Sequence, residues 1–272
     1  MSIAPETVRP IKGTSRIARF IAVTACLLST FVVVNFSDIR ASAVAWTPTS
    51  LGSSLSLWLD AGDASTITSS AGLVSEWRDK SGNSRHATQG TTNSRPSTNG
   101  SGLTFDSSNK FMTGVMDPNT MSSSVQVTVV FTRACCGKNG YDSHPFTLTT
   151  NNYPTPYDGY NETLLVGGPT GAYWGGGGFV NISSRTTRTL LSTSMSATKV
   201  AQYLNGTLQK SVEGNFPYEH VPSIYYVATR YDRYTHFTGE INEIVVTREL
   251  SNANRSNLEA YLGSKWAVAG AP

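Results

Sequence analysis

Two carboxylates, Glu240 and Glu243, stand three residues apart in Gly239-Glu-Ile-Asn-Glu-Ile-Val-Val246, a stretch that reads as a strand near the end of a 272-residue chain. A pair of carboxyls is what a glycosidase uses, one as acid and one as nucleophile, about 5–5.5 Å apart across the sugar bond in the retaining mechanism. Side chains alternate across a strand, so only residues an even number apart share a face. Glu240, Asn242 and Ile244 therefore fall on one face, and Ile241, Glu243 and Val245 on the other. The two acids point opposite ways unless a bulge brings them together, and the helper between them is then Asn242, which neither donates nor holds a catalytic proton. The segment reads as structural. No catalytic residue is assigned, and the expectation is a protein that is not an enzyme.

Three other sets of side chains could do chemistry. Arg78-Asp-Lys-Ser-Gly-Asn83 places Asp79 and Asn83 as oxygen donors in a loop. Calcium takes about six to eight oxygens, and Asp60, Asp63 and Asp106 would have to join them if the loops converge. An Asx-type turn accounts for Asp79 with nothing bound, so no cofactor is expected, and calcium is the metal that Asp79 and Asn83 would hold if there is one. The adjacent Cys135 and Cys136 have Cα atoms about 3.8 Å apart, below the usual disulfide range. Free thiols, a strained ring and links to a second molecule all stay open for that pair. The strongest binding signal is aromatic: Tyr153, Tyr157, Tyr160, Tyr173 and Trp174 lie among Asp158, Asn161 and Gly175 to Gly178. Flat rings beside carboxylates and amides take the C–H faces and hydroxyls of sugars, although any one of these rings can equally fill a core under long loops.

The elements that would position these residues follow from composition. Only 14% of residues are charged, and Ser, Thr, Asn and Gly are plentiful, the mix of short strands joined by polar turns. Residues 1–45 differ. Lys12, Arg16 and Arg19 precede the apolar run Phe20 to Val34, and Ala41-Ser-Ala43 and Ala43-Val-Ala45 follow with small residues at cleavage spacing. That is the pattern of a secretory signal peptide; a run of fifteen residues falls short of the roughly 20 that a spanning helix needs, which makes an uncleaved anchor the lesser reading. Of 21 basic and 18 acidic residues, five and two lie in this segment, so the remainder carries sixteen of each. Its formal charge is zero, and nucleic acid is not an expected partner.

Within residues 46–272 the alternation of Leu55, Leu57 and Leu59 and of Val125, Val127, Val129 and Phe131 marks strands. Shorter candidates are Leu73–Trp77, Leu103–Asp106, Lys110–Met112, Phe146–Thr149 and Thr163–Val166. Val200–Leu204 meets Asn205-Gly206, a hairpin signal, and Thr207–Val212 returns; Ile224–Thr229 and Gly239–Thr247 complete the set. One helix is expected at the end, capped by Ser251 and stapled by Leu250, with Leu258, Tyr261, Leu262 and Trp266 on one face. Many short strands and one terminal helix in one domain predict an all-β jelly-roll sandwich of two antiparallel sheets.

The order of these pieces resembles the concanavalin A-like lectin/glucanase superfamily, in particular its laminin G-like branch. The residues that carry the resemblance are Leu57-Trp-Leu-Asp-Ala-Gly-Asp63, Val74-Ser-Glu-Trp-Arg-Asp-Lys-Ser-Gly-Asn83, His86-Ala-Thr-Gln89, Arg95-Pro96, Leu103-Thr-Phe-Asp106, Phe237 to Val246, Glu249-Leu-Ser251 and Tyr261-Leu-Gly-Ser-Lys-Trp266. It implies a fold found in secreted and cell-surface proteins but does not extend over about 135–220; with the aromatic set it leads to a binding module whose ligand is a glycan or another surface molecule, taken by the loops over 137–178. A structural or adhesive surface protein is the alternative, and a glycoside hydrolase of the same fold comes third. Membrane contact is expected only through an uncleaved signal.

Overall fold

In a computed structural model, the chain divides into two units, Met1–Ala43 and Val44–Pro272. The residues described are 45–106, 109–116, 124–134, 144–149, 164–166, 186–214, 224–230, 233, 236–248 and 250–272. The expected export segment and the Cys135-Cys136 pair lie outside them.

The strands in chain order are β1 (Leu55–Asp60), β2 (Ile67–Ser70), β3 (Leu73–Trp77), β4 (Ala87–Thr88), β5 (Ser97–Thr98), β6 (Leu103–Asp106), β7 (Met112–Val115), β8 (Ser124–Arg133), β9 (Phe146–Thr149), β10 (Leu164–Val166), β11 (Thr189–Ser196), β12 (Lys199–Leu204), β13 (Thr207–Glu213), β14 (Ile224–Val227) and β15 (Thr238–Thr247). Every pairing among them is antiparallel. In one layer β6 and β1 share an edge of β15, followed by β8, β11, β12 and β13; the other layer holds β10, β9, β14, β7, β4, β3 and β2. β5 joins the layers, pairing with β3 at Leu73 and with β6 at Thr104 and Leu103. The chain is an all-β sandwich with one C-terminal helix.

The alternation that marks β8 also fixes the core. Val125, Val127, Val129 and Phe131 point inward with Leu57 and Leu59 of β1 and Ile244 and Val246 of β15, and meet Trp77, Met112, Phe146, Tyr225 and Val227 from the facing layer. Phe131 meets Phe237 edge-on at 5.8 Å, and Phe146 stacks on Tyr225 at 5.5 Å. Burying each such side chain stabilises the fold by about 1.5–3 kcal/mol. Gly114 lies opposite Tyr225 in the β7–β14 pair, where a Cβ would overlap the tyrosine ring and hydroxyl. Gly114→Ala is expected to lower stability by about 1–3 kcal/mol through overpacking, read as a lower urea midpoint; an unchanged midpoint would mean that Tyr225 has room to move.

Helix α1 (Asn252–Lys265) begins at the expected cap, with Ser251 Oγ accepting the Asn254 N–H at 3.2 Å. Leu258, Leu262 and Trp266 close over Leu55, Trp58, Val130, Leu190 and Val245 on the outer face of the first layer. β1 is thereby buried on both faces. The hairpin signal is also realised: Asn205 and Gly206 have φ of 47° and 82°, the left-handed pair that a two-residue turn between twisted strands requires. β11 has no counterpart among the expected strands. Leu190 packs under α1 and Leu191 in the sandwich core, so neighbouring leucines serve opposite faces and the alternation is hidden, while Ser192-Thr-Ser194 reads as a turn. No helix among the described residues is long and apolar enough to cross a membrane.

Candidate functional site

The strand with the two carboxylates contains a bulge between Ile241 and Glu243, where its free edge passes from β6 to β1. Asn242 is the extra residue. Its carbonyl accepts the Ala61 N–H at 2.9 Å, and its Nδ2 donates to the Ser101 carbonyl at 3.0 Å. A bulge resets the alternation: Ile241, Ile244 and Val246 all face the core, and Glu240 and Glu243 both turn to the helix side, linked through Arg188 and Trp266. The expectation that they point opposite ways is corrected by this one residue.

Glu243 is fully buried. Its Oε1 accepts from Trp58 Nε1, and its Oε2 from Trp266 Nε1 and Lys265 Nζ, each at 2.6 Å. Asp60, its cross-strand partner, shares Lys265 at 2.6 Å and meets Lys80 at 2.9 Å; Lys80 in turn reaches Asp63 at 2.8 Å. Burial pushes the Glu243 carboxyl above the usual carboxylate range, and the Asp60 charge adds to it. Burial acts against the Lys265 ammonium, but Glu243 and Asp60 outweigh it and hold its pKa up. The set fastens the end of α1 to β15 and β1. Glu240 is tied down differently, accepting from Asn99 Nδ2 at 2.8 Å, Asn242 Nδ2 at 2.6 Å and Arg188 Nη2 at 3.5 Å.

Asp63 lies at the exposed end of this chain of charges. Hydrogen bonds from Lys80 and Ser65 bring its pKa down to about 2. A carboxylate held below its unfolded value contributes stability above that value and loses the contribution as pH falls through the folded one. Wild type and Asp63→Asn are therefore expected to differ in urea midpoint near about pH 5 and to converge as pH approaches 2. A constant gap would separate Asp63 from the acid limb.

On the other layer, the loop after β3 builds a different arrangement. The Asp79 carboxylate accepts four bonds: Oδ1 from the Trp58 N–H at 2.9 Å and the Ser81 N–H at 2.8 Å, Oδ2 from Ser81 Oγ at 2.7 Å and the Arg85 N–H at 3.0 Å. Asn83 Nδ2 donates to the Leu55 and Ser56 carbonyls, both at 3.1 Å. Arg85 Nη1 donates to the Ser56 carbonyl at 2.7 Å, and the Arg85 carbonyl accepts the Tyr225 hydroxyl at 2.7 Å. The loop is thus pinned to β1 on one side and β14 on the other. What it delivers is His86, whose Nδ1 accepts the Asp79 N–H at 3.0 Å. An imidazole nitrogen that accepts carries no proton, so the ring proton sits on Nε2.

His86 lines a groove of about 340 Å³ on the outer face of the second layer. Ser84 and Thr88 flank it on the loop side, and Thr113, Val115 and Ile224 form the wall across from it. Val115 is 63% exposed and lies opposite Ile224 in the β7–β14 pair. Thr113 Oγ1 donates to the Tyr225 carbonyl at 3.0 Å, leaving oxygen lone pairs as acceptors. Ser84 adopts φ of 57°, a conformation that a non-glycine residue holds only when its surroundings fix it.

Asp79 and Asn83 both bond to Ser81 in the same loop, and their donor set suits a turn. Both Asp79 oxygens are filled by N–H and O–H groups, and Asn83 presents its NH₂ to carbonyls; the residues as placed do not fit a calcium ion. Among the described residues no three His, Cys, Asp or Glu side chains cluster as metal ligands. Tyr153, Tyr157, Asp158, Tyr160, Asn161, Tyr173 and Trp174 lie outside the described residues. The sequence reading gave His86 no functional role, naming it only in the stretch His86-Ala-Thr-Gln89 that carries the resemblance, because a lone histidine carries no spacing signal.

No protein-family model matches the sequence, and no curated protein matches it. Solved structures do. Trypanosoma rangeli sialidase in complex with 2,3-difluorosialic acid is 12% identical, with 80% of this chain and 34% of that chain covered at a TM-score of 0.54. A mutant of the same sialidase displaying trans-sialidase activity is 12% identical over 84% of this chain and 35% of its own, also at 0.54. Domain 4 of a GH43 extracellular arabinanase from Geobacillus stearothermophilus, in complex with arabinotriose, is 18% identical over 75% and 97% of the two chains, at 0.45. The chain spans about a third of the sialidases it matches. At this identity the likeness is one of fold. The sialidases are enzymes, and the expectation of a protein that is not an enzyme is corrected by them.

Proposed function

We propose that this chain is an exported surface protein that binds glycans, with the outer face of the second layer as part of the binding surface. The observation that carries the reading is the groove beside His86. A fixed imidazole N–H, two hydroxyls and a hydroxyl acceptor stand around an apolar wall, and ligand sites combine mostly apolar lining with a few placed polar groups. On the first layer α1 covers the outer face over β1, β15 and part of β8 and β11, and the groove left beside its start is smaller, about 90 Å³. The resemblance of Leu57 to Asp63 and of Val74 to Asn83 to laminin G-like domains lends support. In this reading the aromatic residues from Tyr153 to Trp174 set which glycan is preferred.

The experiment is binding of the full chain to a broad glycan array, with calcium and with chelator, and with released reducing sugar read in parallel. Binding that persists in chelator is expected, because the Asp79 turn is closed by hydrogen bonds. Silence on every glycan would overturn the reading, and sugar release would tell whether a bound glycan is also cut.

A further inference from the structure

We propose that the groove between the 84–88 segment and the β7–β14 edge holds a neutral saccharide ring, with His86 Nε2 and the Ser84 and Thr88 hydroxyls meeting its hydroxyls and Val115 with Ile224 meeting its C–H face. The inference rests on the glycan-binding reading and goes further by naming the site and the ligand's charge.

The charge argument comes from what lines the groove. Among the described residues no carboxylate does, and the formally charged one that lines it is Arg85. Arg85 is 9% exposed, and its Nη1 is bonded to the Ser56 carbonyl. That bond holds the guanidinium against the β1 backbone. An acidic sugar would therefore lose its hydration against a guanidinium already held by the Ser56 carbonyl, with no other cation among the described lining residues, which costs more than burying a neutral hydroxyl. A neutral ring faces no such cost. Its hydroxyls accept from Nε2–H and exchange bonds with Ser84 and Thr88, and its apolar face covers Val115, one of the most exposed large hydrophobic side chains among the described residues.

The size agrees, because about 340 Å³ lies at the lower end of ligand pockets, about 300–1,000 Å³. The groove is also held in place before a ligand arrives. Asp79 fixes the loop and, through its N–H, the tautomer and tilt of His86, so little ordering is left for binding to supply.

The test uses the full chain on an array of matched glycans, each present with a neutral terminus and with the same terminus extended by sialic or uronic acid. Two variants accompany it. In His86→Asn the side-chain oxygen can still accept the Asp79 N–H, so the loop bond is kept while the Nε2–H is lost. Val115→Asp changes an exposed wall residue and leaves the core untouched. Wild type is expected to prefer the neutral member of each pair, and each variant to bind that member about fivefold to tenfold more weakly, the loss of one neutral hydrogen bond or one apolar contact. Preference for the acidic members would overturn the inference. So would neutral binding that neither variant changes, although glycan binding itself would then stand. Absence of binding to any glycan would remove the glycan reading and this inference with it.

Discussion

Glu243→Ala is expected to lower the unfolding free energy by about 3–5 kcal/mol, the cost of taking one partner out of a buried ion pair. The reason is that three donors converge on this one carboxylate. Without it, Trp58 Nε1 and Trp266 Nε1 keep no acceptor in a water-excluded seam, and Lys265 keeps only Asp60. The loss falls on the docking of α1, since Trp58 and Trp266 both belong to the apolar cluster beneath the helix. Equilibrium urea unfolding measures it, with indole fluorescence reporting on the two tryptophans directly. Glu243→Gln is expected to fall between wild type and alanine, because its single carbonyl oxygen still accepts from one indole. A loss in the alanine variant below about 1 kcal/mol, the scale of an exposed pair, would mean that the clamp contributes no more than surface charges do.

Asp79→Ala is the second large effect, and it joins stability to function. Its carboxylate takes four bonds from Trp58, Ser81 and Arg85. Each bond to a charged acceptor contributes about 1.5–3 kcal/mol net, but the side chain is half-buried and water replaces part of the loss. A net destabilisation of about 2–3 kcal/mol is expected by the same measure, together with loss of saccharide binding, because the carboxylate fixes the loop whose backbone N–H at position 79 orients His86. Asp79→Asn should keep the fold closer to wild type, since one oxygen still accepts. A chelator should leave the wild-type midpoint where it is. If the midpoint fell in chelator and Asp79→Asn removed that response, the loop would be a calcium site after all.

Much of this fold is legible in the sequence because the sandwich is simple where one face is core and the other solvent. Val125 to Phe131 alternates for that reason. Asn205-Gly206 announces a hairpin because few other residues accept two left-handed positions in succession, and Ser251 announces a helix start. Legibility fails where both faces are covered. β11 carries Leu190 for the helix and Leu191 for the core, so no period-two signal survives. It fails again at Asn242, since a bulge is a relation between two strands and the sequence of one strand does not contain it. That single residue turned Glu240 and Glu243 to the same side.

The functional site divides in the same way. The Arg78 to Asn83 turn was visible as a donor cluster, but its purpose was not. Whether an aspartate's oxygens meet a cation or four N–H and O–H groups depends on Trp58 and Arg85, which approach from elsewhere in the chain. His86 is a site residue because Thr113, Val115 and Ile224 face it across the groove, a juxtaposition made by β7 and β14. The aromatic set from Tyr153 to Trp174, by contrast, is a compositional signal and needs no partner to be noticed.

The most direct test of the central claim is amide hydrogen exchange of the full chain, with and without the glycan that binds best on the array. The account predicts added protection at residues 84–88, 112–115 and 224–227, on the face that α1 leaves open. Protection confined to α1 and the β1–β15 seam, with the groove unchanged, would contradict it.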